Sequence, residues 1–90
     1  MNIVIKQIEL IERIDRLIRM QATGSPEELA HRLEISKTKL YRALNIMREL
    51  NAPIVYDVSL QSFIYKEAVG FSFGFYHKNR KPNKINPFVG

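Results

Sequence analysis

The chain contains no cysteine and only two histidines. Without cysteine, no disulfide and no thiolate metal site can staple the fold, so apolar packing has to hold it, and a reducing cytoplasm is compatible. No uninterrupted apolar run is longer than Ile3-Val4-Ile5, far short of the roughly 20 residues that span a bilayer and shorter than a signal-peptide core. The expectation is a soluble, unexported chain of the cytoplasm. His31 and His77 stand in no pattern that resembles a metal site, so both read as surface residues and neither a metal nor a cofactor is expected. Catalysis finds as little support. Ser36 has no recognisable base placed for it and reads as a helix cap. Glu27 and Glu28 fall in a first helical turn, where the helix dipole accounts for them, and Met20 and Met47 suit a core. The chain is therefore not expected to be an enzyme or to take a small-molecule ligand.

What is present fits one small domain. Ninety residues, 46% of them hydrophobic, make a single core and leave no room for a separate sensing or catalytic domain. The net charge of +5 is unevenly placed: residues 1–76 hold ten Lys/Arg against nine Asp/Glu, while Lys78, Arg80, Lys81 and Lys84 follow with no acid. A nearly neutral body over 1–76 thus carries a basic tail over 77–90, with little to bury and the composition of a disordered segment. Such a tail either contacts nucleic acid or aids solubility.

Along the body, Leu10, Ile11, Ile14, Leu17 and Ile18 recur at helical spacing among charged residues, which predicts a long amphipathic helix that starts within 3–7 and stops before Ala22-Thr23-Gly24. Ile3, Val4, Ile5 and Ile8 exceed what one face needs; they are assigned to the core or, alternatively, to a second subunit. Ser25, Pro26 and Glu28 form a capping-box start for a second helix over 26–34, with Leu29, Ala30 and Leu33 buried. Ile35 and Ser36 make a turn, and Ser36 caps a third helix that runs from 37 to about Leu50 with Leu40, Leu44 and Met47 inward. After Asn51-Ala52-Pro53 the period becomes two. Residues 54–58 and 62–66 read as a β-hairpin around a turn near Ser59-Leu60-Gln61, and Phe71, Phe73 and Phe75 alternate as a candidate third strand.

The third helix opens on a conflict. A helix N-terminus carries partial positive charge and favours acids, yet Ser36 is followed at once by Lys37 and Lys39, with Arg42 one turn on, and no acid lies anywhere in 35–48. An anion from outside the helix resolves it: a bound phosphate is attracted by the lysines and by the free N–H groups together. On that reasoning Lys37→Glu leaves the free protein unchanged or slightly more stable. With Leu40, Leu44 and Met47 inward, the residues that project outward are Lys37, Thr38, Tyr41, Arg42 and Asn45. An ordinary solvated helix face is the competing reading.

Two helices joined by a tight turn, with a helix before and a hairpin after, have the order of a winged helix-turn-helix, an α+β fold. The stretches TGSPEELAHRLEISKTKLYRALNIMREL at 23–50 and NAPIVYD at 51–57 resemble the winged-helix domains of bacterial transcriptional regulators of the DeoR and WYL type, and especially small stand-alone winged-helix proteins of Bacteroidetes. The resemblance spans about residues 7–67. It implies a protein that reads double-stranded DNA with the helix at 37–50 in the major groove. Lys37, Thr38 and Arg42 would then face bases, Ser36, Lys39 and Tyr41 would touch phosphates, and Asn45 would lie on the same face. Lys78, Arg80, Lys81 and Lys84 of the tail are further phosphate candidates. Two residues depart from the pattern: Glu34 stands where such domains usually carry glycine, and the wing tip Ser59-Leu60-Gln61-Ser62 has no cation. A winged helix used only for protein contacts, through the phenylalanines or Leu60, is the alternative function, and a homodimer is a further candidate assembly.

Overall fold

The computed structural model describes residues 2–75 of the chain. Helix α1 (Ile3–Arg19) starts on Asn2, whose Oδ1 accepts the N–H of Val4 at 2.8 Å. Helix α2 (Pro26–Leu33) has the expected capping box: Ser25 Oγ accepts the Glu28 N–H at 3.1 Å, and the Glu28 carboxylate accepts the Ser25 N–H at 2.8 Å. Gly24 makes room for this arrangement. It sits at φ +72°, and a Cβ there would come within 2.5 Å of the Glu28 Oε1. Helix α3 (Lys37–Glu49) is capped by Ser36, whose Oγ accepts the Lys39 N–H at 3.1 Å.

All three helices end alike. Gln21, Glu34 and Asn51 adopt left-handed conformations at φ 53°, 59° and 76°. The residue after each donates its N–H back over the last turn, Ala22 to Leu17, Ile35 to Ala30 and Ala52 to Met47, each at 3.0 Å. This is the closure that glycine usually serves, because a Cβ in the left-handed region costs about 1–2 kcal/mol. Here it is made by three residues with side chains. Helix α2 therefore stops at Leu33, one residue short of the range expected from the sequence, and Glu34 is the strained left-handed corner that swings the chain into α3.

Strands β1 (Ile54–Asp57) and β2 (Ser62–Tyr65) pair antiparallel, with Ile54 opposite Tyr65 and Asp57 opposite Ser62. The turn between them is closed by the Asp57 carboxylate, which accepts the Leu60 N–H at 3.0 Å, and by Gln61 at φ 51°. One core joins all five elements: Ile14 and Ile18 from α1, Leu29 and Leu33 from α2, Leu40 and Leu44 from α3, Ile54 and Phe63 from the hairpin. Tyr56 meets the Phe63 ring edge-on at 5.0 Å. Three helices followed by a hairpin wing give the α+β winged-helix-like topology that the sequence order implied.

Two polar attachments fix the wing against the helices. Thr23, in the α1–α2 loop, is fully buried beside Ser62; its Oγ1 accepts the Phe63 N–H at 2.8 Å, and its own N–H reaches Ser62 Oγ at 3.3 Å. The loop thereby joins the edge of β2 through side chains instead of a strand ladder. On the other flank, the Tyr65 hydroxyl donates to Asp15 at 2.6 Å while Arg19 bonds the same carboxylate and lies 5.0 Å over the tyrosine ring. Burial and the adjacent Asp15 carboxylate push the Tyr65 hydroxyl well above the ordinary tyrosine pKa.

Two expectations fail. Among the described residues the sheet has two strands, and 71–75 is not a third. Phe71 packs against the core, but Phe73 and Phe75 are exposed and Gly74 lies at φ 121°, so the alternation meets no strand edge. Nor do Ile3, Val4, Ile5 or Met20 enter the core. Ile3 is 78% exposed, because the buried face of α1 begins only at Leu10, and of Ile3, Val4, Ile5 and Ile8 only Ile8 is half-buried.

Candidate nucleic-acid interface

The inward residues of α3 are Leu40, Ala43, Leu44 and Met47, and their spacing fixes what faces away. Thr38, Arg42 and Asn45 lie on the outermost line, while Lys37 and Tyr41 flank it on one side and Lys39 on the other. Ser36, Lys37, Thr38, Lys39, Tyr41, Arg42 and Asn45 are all exposed. The residues singled out from the sequence are thus brought onto one surface. Lys78, Arg80, Lys81 and Lys84 lie outside the described residues, as does His77.

The first turn of α3 differs from the sequence expectation in one respect. Lys37 Nζ lies 3.0 Å from the Glu27 Oε2 at the start of α2. The hydrogen bond from Lys37, followed by a backbone N–H and the lysine charge, holds the Glu27 carboxyl below the ordinary carboxylate value, and the same bond raises the Lys37 ammonium. Part of the opening conflict is therefore resolved inside the chain: an acid of α2 answers a cation of α3. This overturns the expectation for Lys37→Glu in the free protein, since the new carboxylate would face Glu27. It also turns Lys37 sideways toward α2, away from the outermost line.

The other cations of the surface have no such partner among the described residues. Among the described residues the ion pairs are Lys37–Glu27 and Arg19–Asp15, so neither Lys39 nor Arg42 is neutralised by a described acid. Lys39 instead borders a shallow groove with Lys6, Arg13 and Ile35 beside α1. Ser36 Oγ accepts one N–H and keeps its own proton available for donation.

Arg48 was missed from the sequence. Its Nη1 donates to Asn45 Oδ1 at 3.3 Å and its Nε to the Ile54 carbonyl at 3.4 Å. It thus ties the end of α3 to the start of the wing and orients Asn45, leaving the amide NH₂ outward. The i,i+3 spacing of Asn45 and Arg48 was the available signal. Glu27 was missed as well, and no local pattern could have found it, because its partner lies across the turn.

The wing offers α3 no cation at its tip, where Val58 and Leu60 are exposed. His31 is exposed on α2, and no group of three potential metal ligands occurs among the described residues. A cavity of about 310 Å³ opens behind α3, lined by Ile11, Met47, Leu50, Val69 and Phe71. The cation at this cavity, Arg19, is already held by Asp15. No helix among the described residues is long and apolar enough to cross a membrane.

Comparison of the chain with protein-family models, with curated proteins and with solved structures gives no match.

Proposed function

We propose that the protein binds double-stranded DNA in a sequence-dependent way, as a small transcriptional regulator of the cytoplasm, and that α3 enters the major groove. The observation that carries this reading is the exposed face of α3. From 36 to 48 it presents hydroxyls, an amide and cations without one acid, on a helix anchored by the buried Leu40, Ala43, Leu44 and Met47 and by the Arg48 bond to the wing. Thr38, Arg42 and Asn45, on the outermost line, are the base-reading candidates, because an arginine fork suits guanine and an amide suits adenine. Ser36, Lys37, Lys39 and Tyr41, at the cap and flanks, are the phosphate contacts, with Lys78, Arg80, Lys81 and Lys84 as further ones. Two copies binding together would require a two-fold operator.

The test is a polarisation titration with genomic duplex fragments at low salt, where backbone affinity is greatest. Binding that strengthens on particular fragments supports the proposal; no binding to any fragment refutes it. A second reading, a winged helix used for protein contacts, is favoured by one observation: Phe73, Phe75, Val58 and Leu60 leave large apolar side chains in solvent. Recovery of a stoichiometric protein partner by a chain without DNA affinity would support that alternative.

A further inference from the structure

We infer that Glu27 competes with DNA for Lys37, and so acts as a built-in attenuator of backbone binding. The inference rests on the proposed function and adds to it a residue outside the recognition helix. The capping box of α2 is made by Ser25 and Glu28 and Pro26 fills the first helical position, so the box itself does not use Glu27. Its carboxylate instead reaches across the turn to the first residue of α3, 3.0 Å from the ammonium. Both side chains remain more than half exposed, at 53% for Lys37 and 67% for Glu27, so a phosphate can approach the lysine without any rearrangement of the fold.

The chemistry is a simple exchange. In the free protein the Lys37 ammonium donates to a carboxylate; on DNA it donates to a phosphate oxygen, and Glu27 is left unpaired near a polyanion. Breaking the pair weakens the complex once, and the repulsion between Glu27 and the backbone weakens it again. Lys39, on the opposite flank, has no described acid beside it and bears no such cost. The two lysines of the first turn are therefore unequal. Lys39 is available from the outset, whereas Lys37 is released only when the helix is seated closely enough for a phosphate to displace the carboxylate.

The experiment is a polarisation titration of a short random-sequence duplex at several salt concentrations with the full chain, Glu27→Gln, Lys37→Gln and the double variant; melting curves establish that each is folded. Glu27→Gln should bind about two- to five-fold tighter, the equilibrium equivalent of one exposed ion pair. Its log K against log salt slope should steepen by at most about 0.9, one phosphate's worth. In the Lys37→Gln background the same substitution should keep only the gain from lost repulsion, and so have a smaller effect. An equal gain in both backgrounds would make Glu27 a diffuse repulsive charge and overturn the inference. Weaker binding by Glu27→Gln would mean that the carboxylate positions the lysine, which also overturns it. A parent that binds no duplex at low salt refutes the proposed function and the inference together, whereas a parent that binds and a Glu27→Gln variant that matches it refute only the inference.

Discussion

Thr23→Val removes one hydroxyl from the interior and keeps the side-chain shape, so it isolates what the Thr23–Ser62 attachment contributes to the wing. Thr23 has no exposed surface, and its Oγ1 accepts the Phe63 N–H at 2.8 Å, donates to the Gly24 carbonyl at 2.9 Å and lies 3.1 Å from Ser62 Oγ. In the valine variant the Phe63 N–H is buried without a partner, a loss of about 1–3 kcal/mol, and the Gly24 carbonyl loses a donor as well. No cavity forms to add to it. A total near 2–3 kcal/mol is a large part of the roughly 4–11 kcal/mol expected for a body of this size, and it should lower Tm by about 10–20 °C. Circular dichroism melts and urea titrations of the parent, Thr23→Val, Ser62→Ala and the double variant measure it. Ser62→Ala should cost less, since its Oγ accepts only a 3.3 Å bond from Thr23 and donates locally to the Phe63 carbonyl. The double variant should lose less than the sum, because the two hydroxyls share partners. A Thr23→Val protein that melts within about 4 °C of the parent, less than about 1 kcal/mol, would refute the view that this attachment holds the wing.

Three further outcomes are expected. Glu34→Gly should stabilise the protein by about 0.5–1 kcal/mol in urea unfolding, since relief of left-handed strain exceeds the added entropy of a glycine in the unfolded chain. Tyr65→Phe should cost about 1–2 kcal/mol near neutrality by loss of the hydrogen bond to Asp15. Because the folded Tyr65 pKa is raised above its ordinary value near 10, that stabilisation is fully present below pH 10 and declines as the pH rises beyond it, so parent and variant should converge in alkaline melts. Phe71→Ala should lower Tm measurably because Phe71 packs on the core, whereas Phe73→Ala and Phe75→Ala should leave it unchanged.

The elements that could be read from the sequence are those with local signals. Ser25, Pro26 and Glu28 announce α2 within four residues, and the spacing of Leu40, Leu44 and Met47 is enough to orient α3. The hairpin followed from the change of period after Pro53. The features that escaped depend on distance along the chain. Thr23 and Ser62 are unremarkable polar residues until the fold brings them together, and Glu27 meets Lys37 only because Glu34 takes a left-handed corner. The phenylalanine alternation misled because period two marks a strand only where the segment pairs with a sheet edge, and this one does not. Here Phe71 docks on the helices and the following residues turn into solvent. At the candidate site, which face of α3 is outward was legible, but the inequality of its two first-turn lysines was not.

The claim that the outward face of α3 binds DNA is tested most directly by one comparison: the affinity of the parent and of Arg42→Ala for the duplex that the parent selects from a random library. Arg42 is exposed and makes no side-chain hydrogen bond or ion pair among the described residues, so its removal should leave Tm unchanged. A lost guanine contact is worth about 1–3 kcal/mol, or roughly a five- to 150-fold weaker complex, with preference relaxed at one position of the site. Equal affinity and equal preference for the two proteins, or a parent that selects no sequence, would contradict the account.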